Sequence, residues 1–105
     1  MGAKTGQPVT SGNWHVRSGR EGDFVEAWTE FIRWTHAEAP GAGDFTLLQD
    51  EADLQHFVSY GYWSDEGHIE AWRNSAGFAE RFARCRELCE DFAGSDYTAV
   101  AAVNG

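Results

Sequence analysis

Along this chain the spacing of apolar residues changes period in a set order, and that order constrains the fold more tightly than any single motif. "NWHVRS" (13–18) alternates Trp14, Val16 and Ser18 against His15 and Arg17, which predicts a strand. Gly19 turns the chain, and Ser18 and Glu21 have the spacing of a capping box. Residues 20–38 then set Phe24, Trp28, Phe31, Ile32 and Thr35 on one helical stripe, which Pro40 and Gly41 end. "GDFTLLQD" (43–50) predicts a second strand, with Phe45 and Leu47 on one face, and "QHFVSYGYW" (55–63) a third. Ser64 is placed to cap a short helix reaching Asn74, and Ser75 a longer one over 76–92. In the longer helix Phe78, Phe82, Cys85, Cys89 and Phe92 form a seam, and "SDYTAVAAV" (95–103) ends the series as a strand.

Strand, helix, strand, strand, helix, strand is the split β-α-β order. It predicts an α+β, ferredoxin-like fold: a four-stranded antiparallel sheet with helices on one face. The other face would carry Val58, Tyr60 and Tyr62, too apolar to leave wet, so a homodimer through the sheet face is expected. With 105 residues the chain forms one domain, read as residues 13–105 behind a mobile leader at 1–12.

The net charge of −9 argues against nucleic acid or an anionic membrane as partner, since polyphosphate binding needs clustered Lys and Arg. No apolar run reaches membrane length and no signal-peptide core follows the start, so a soluble, cytoplasmic protein is expected. Cys85 and Cys89 lack Cys-x-x-Cys spacing and read as core residues. No two His share metal-ligand spacing, and no Ser-His-Asp order, P-loop or dinucleotide glycine pattern occurs, so no metal or cofactor is expected.

The third strand raises the sharpest local question. If Trp63 points toward the helices, so do Phe57, Ser59 and Gly61. The small pair then either floors a cavity walled by Trp63, Trp28 and Trp14, or lets another part of the chain approach closely. In such a hollow Ser59 would offer its hydroxyl as a hydrogen-bonding group. His36, continuing the Trp28–Ile32 side of the first helix near its C-terminus, is the candidate proton acceptor or hydrogen-bond donor.

"WHVRSGREGDFVEAWTEF", "APGAGDFTLLQD" and "HFVSYGYWSDEGHIEAWRNSAGFAERF" together resemble the antibiotic biosynthesis monooxygenase superfamily of dimeric α/β barrels, over residues 13–103. That family includes cofactor-free oxygenases, haem degraders and isomerases. Trp72 matches a Trp of the haem degraders, but Phe82 stands where their haem-ligating His falls, and Gly12 where their first-strand Asn falls. Trp63 matches the strand-end Trp of the cofactor-independent oxygenases of aromatic polyketide tailoring, with Ser59 in place of an Asn and Ile69 in place of a Tyr. The resemblance implies a monooxygenase without cofactors that oxidises a small phenol, anthrone or quinol-like metabolite with O₂. Trp63, Ser59 and His36 are its catalytic candidates; Trp14, Trp28, Phe57, Gly61 and Trp72 would contact substrate. The alternatives are a non-catalytic dimeric ligand-binding domain and an isomerase or cyclase on the same fold.

Overall fold

A computed structural model describes residues 4–105. The chain runs β1 (Pro8–Val16), α1 (Glu21–Glu38), β2 (Ala42–Gln49), β3 (His56–Trp63), α2 (Glu66–Arg73), α3 (Ala76–Glu87) and β4 (Cys89–Thr98). The strands pair antiparallel in the order β2-β3-β1-β4, which is the expected α+β ferredoxin-like architecture. The α1 stripe is buried as its spacing requires: Phe24, Trp28, Phe31, Ile32 and Thr35, joined by Ala27. Gly19 and Gly41 both take positive φ, where a side chain would be strained, and turn the chain at either end of α1.

Helix starts depart from the sequence reading in two places. No Ser18–Glu21 capping box forms; the residue ahead of α1 is Arg20, whose guanidinium holds Asp23 at 2.7 Å instead. At α2 the cap is Asp65 rather than Ser64, its carboxylate accepting the His68 N–H at 3.0 Å. A charged acceptor makes the stronger bond to the helix N-terminus. Ser75 caps α3 as expected, accepting from the Phe78 N–H.

Two strands also differ in their bounds. β1 begins at Pro8, so residues 8–12 of the expected leader are strand; residues 1–3 lie outside the described residues. β1 is central, with β3 on one side and β4 on the other, and those neighbours satisfy a polar stretch that shows no period of its own. α3 stops at Glu87, and Cys89 and Phe92 belong to β4, which ends at Thr98. The helix-like spacing of that pair is the work of a β-bulge: Val16 faces Cys89 while His15 faces Asp91, so β4 carries one extra residue. The bulge turns both side chains to the same face, where Cys89 is fully buried and Phe92 packs against the core.

That core lies between the helices and one sheet face. Trp63, Phe24, Phe57, Val16 and Cys85 are fully buried in it. Both cysteines are free, and burial pushes the Cys85 thiol up to about 12 and the Cys89 thiol to about 11. They are packing residues. On the opposite sheet face Val58, Leu48 and Tyr97 are exposed, and Tyr60 meets Tyr62 edge-on at 6.1 Å. Among the described residues no helix is long and apolar enough to cross a membrane.

Candidate functional site

Strand register builds the site. On the helix-facing side, Ser59 of β3 lies opposite Gly12 of β1, and Gly12 lies opposite Gly94 of β4. Three small residues thus form a row across three adjacent strands. One neighbouring row is bulky, Phe57–Trp14–Phe92; the other is Gly61–Thr10–Asp96. A low row beside a tall one leaves a hollow under the helices, and there a cavity of about 400 Å³ is found. Gly12 cannot be enlarged cheaply, because an added Cβ would lie 2.6 Å from the Trp14 Nε1.

The walls are aromatic. Phe45, Trp72, Phe78, Phe82, Phe92 and Trp14 all line the hollow and follow one another with ring centroids 6.2, 4.7, 5.5, 5.1 and 4.3 Å apart. Trp28, Phe31 and Ile32 of α1 add to the lining. Gly94 and Asp96, the outer part of the lining on β4, are exposed, so the cavity is open along that strand. Polar groups are few. Ser59 and Thr10 are buried hydroxyls; the Ser59 Oγ accepts from the Trp14 indole at 3.0 Å, and the Thr10 Oγ1 from the Trp63 indole at 3.1 Å. The charged lining is one ion pair, Arg73 with Asp96, in which the two terminal guanidinium nitrogens donate to the two carboxylate oxygens at 2.8 and 2.6 Å. The Arg73 guanidinium holds the Asp96 carboxyl below the usual carboxylate range, and Asp96 in turn raises Arg73.

Of the residues singled out from sequence, Ser59, Trp14, Trp28 and Trp72 meet around the cavity. Four others face the helices or pack near them but do not line it. Gly61 is filled rather than hollow: the Phe45 ring lies where its side chain would be. Trp63 is fully buried behind that ring, 5.7 Å from it. Phe57 packs under Phe24, with centroids 5.1 Å apart. His36 is exposed, and its Nε2 donates to the Gly43 carbonyl at 2.7 Å, fastening α1 to β2. No histidine lines the cavity among the described residues. His15 and His56 stack on the opposite sheet face, and His68 sits at the start of α2.

The sequence reading missed Thr10, Gly12, Gly94, Arg73 and Asp96. Thr10 and Gly12 fall in phase with Trp14 and Val16 on β1, but the stretch ahead of Trp14 carries no apolar period by which to see it. Nothing local marks Gly94 or Asp96.

The sequence profile of the antibiotic biosynthesis monooxygenase family matches residues 10–84, from within β1 through most of α3, and so includes both buried hydroxyls of the cavity, Thr10 and Ser59. The chain belongs to this family. Among curated proteins nothing matches. Solved structures share the fold. SnoaB, a cofactor-independent oxygenase from Streptomyces nogalater, superposes with a TM-score of 0.81 at 19% identity, over 90% of this chain and 94% of its own. A conserved protein from Methanosarcina mazei Go1 gives 0.79 at 18% identity, over 90% and 93%. Protein SO0527 from Shewanella oneidensis gives 0.76 at 16%, over 90% and 91%. At these identities the likeness is one of fold, and this family member's chemistry must be argued from its own cavity.

Proposed function

We propose that this member of the family is a cofactor-independent monooxygenase that oxidises a small, flat phenol, anthrone or quinol-like metabolite with O₂. The observation that carries the reading is the hollow itself: a floor of small residues, a circuit of rings, and a buried Ser59 hydroxyl held by the Trp14 indole. Its volume of about 400 Å³ lies in the range of small-molecule pockets, roughly 300–1,000 Å³.

In this reading the rings sandwich the substrate and exclude water, and Ser59 donates its O–H to the substrate oxyanion. An electron-rich anion passes an electron to O₂, and the radical pair joins to form a C–O bond. The resulting peroxide anion takes a proton from solvent, and in anthrone the hydroperoxide then loses water, its ring CH₂ becoming a carbonyl: one oxygen atom stays in the product and the other leaves as water. Asp96 is a poor base while Arg73 holds it ionised, so the substrate proton leaves to solvent along the open β4 edge. Pairing of two copies through the apolar outer sheet face belongs to the same reading, and a monomer in sedimentation at micromolar concentration would rule it out.

Oxygen uptake with anthrone tests the reaction. The protein should accelerate uptake above the buffer rate, and Ser59→Ala should lower kcat by roughly 10²-fold, the usual loss of one oxyanion donor. Uptake no faster than in buffer rejects the oxygenase. The lack of an imidazole in the lining favours a second reading, a non-catalytic binder of aromatic ligands. Quenching of tryptophan fluorescence by anthrone without oxygen uptake would select it.

A further inference from the structure

Three indole N–H groups of the core each donate to a hydroxyl: Trp14 to Ser59, Trp63 to Thr10, and Trp72 to Thr35 at 3.0 Å. The third pair is complete, because Thr35 donates its own proton to the Phe31 carbonyl at 2.9 Å. Thr35 lies outside the cavity lining and spends its proton within α1.

The other two pairs are incomplete. Neither Ser59 nor Thr10 has an acceptor for its hydroxyl proton among the described residues. Both are nine-tenths buried, at 7% and 6% exposure, and both line the cavity. A buried O–H without an acceptor costs free energy that an incoming oxygen would recover. Receiving an indole N–H also polarises each hydroxyl and makes it the better donor.

Their spacing sets what they can hold. Thr10 faces Gly61 and Ser59 faces Gly12, so the two are diagonal neighbours on one face. Diagonal positions lie about 7–8 Å apart at the backbone, and each hydroxyl is held by its own indole, Trp14 or Trp63, so the two stand as separate donors. We infer that Thr10 is a second ligand anchor beside Ser59, and that the bound ring carries two acceptor oxygens along one edge. This rests on the cavity of the proposed function, but it is a claim about binding and holds whether or not O₂ is consumed.

The test is anaerobic titration of intrinsic tryptophan fluorescence with two ligands of the same ring system. Anthrone has a single oxygen; dithranol has phenolic oxygens flanking that carbonyl on one edge. Wild-type protein should bind dithranol about 3- to 10-fold more tightly than anthrone, the effect of one added neutral hydrogen bond. Thr10→Val should erase that preference by weakening dithranol binding about 3- to 10-fold. Because Thr10→Val also strips the Trp63 indole of its acceptor, Thr10→Ser serves as the folded control. It keeps the hydroxyl and should keep the preference. A wild type without the preference, including one that binds neither ring, overturns the inference. So does a folded Thr10→Val that retains the preference, or a folded Thr10→Ser that loses it. Oxygen uptake is not read in this experiment, so failure of the oxygenase reading shows separately.

Discussion

Gly61 and Ser59 stand two residues apart on β3 and face the same side of the sheet, yet the spaces above them differ. Above Gly61 the Phe45 ring from β2 fills the gap, and Trp63 closes the packing behind it. Above Ser59 the space stays open, because its neighbours across the sheet, Gly12 and Gly94, are small as well. One missing side chain is easily filled from an adjoining strand; three in a row are not. The small pair thus splits: Gly61 is closely packed, while Ser59 lines an open space whose walls do not include Trp63.

The comparison can be broken by substitution. On the packed side Trp63→Ala should cost about 3–5 kcal/mol in urea unfolding, since it opens a void in a core that cannot collapse around it. A cost below about 1 kcal/mol would mean that this end is as loose as the hollow. Next in size is Gly61→Val. With the Phe45 ring already in place it should cost about 1–3 kcal/mol, and Phe45→Ala in the same chain should recover part of the loss. A neutral Gly61→Val would show that the gap is not filled.

The smallest effect belongs to the open side. Arg73 and Asp96 are 40% and 56% exposed, so Asp96→Asn should cost only about 0–1 kcal/mol at neutral pH. Its sign with pH is fixed. The folded Asp96 carboxyl titrates below its unfolded value, so the ion pair contributes fully above about pH 4 and is lost as pH falls through the lower, folded value. The stability gap between wild type and Asp96→Asn should therefore close in acid. A gap that widens there would contradict the ion pair.

Much of this protein was legible in its residue order. The α1 stripe, the β3 alternation and the Ser75 cap are local signals, each readable within a few turns or strand steps. With the element order they give the ferredoxin-like sheet. Local period also misled once, at Cys89 and Phe92, where a bulge in a strand imitates a helical step of three. The cavity could not be read the same way. Its floor joins Gly12, Ser59 and Gly94 from three strands, its mouth joins Arg73 of α2 to Asp96 of β4, and its second hydroxyl lies in a segment that looks structureless alone. Side-chain period is fixed by neighbours along the chain, and sequence alone determined that much. Which strands lie side by side, and in what register, is set by burial of the whole sheet against the helices, and only the tertiary structure decided it.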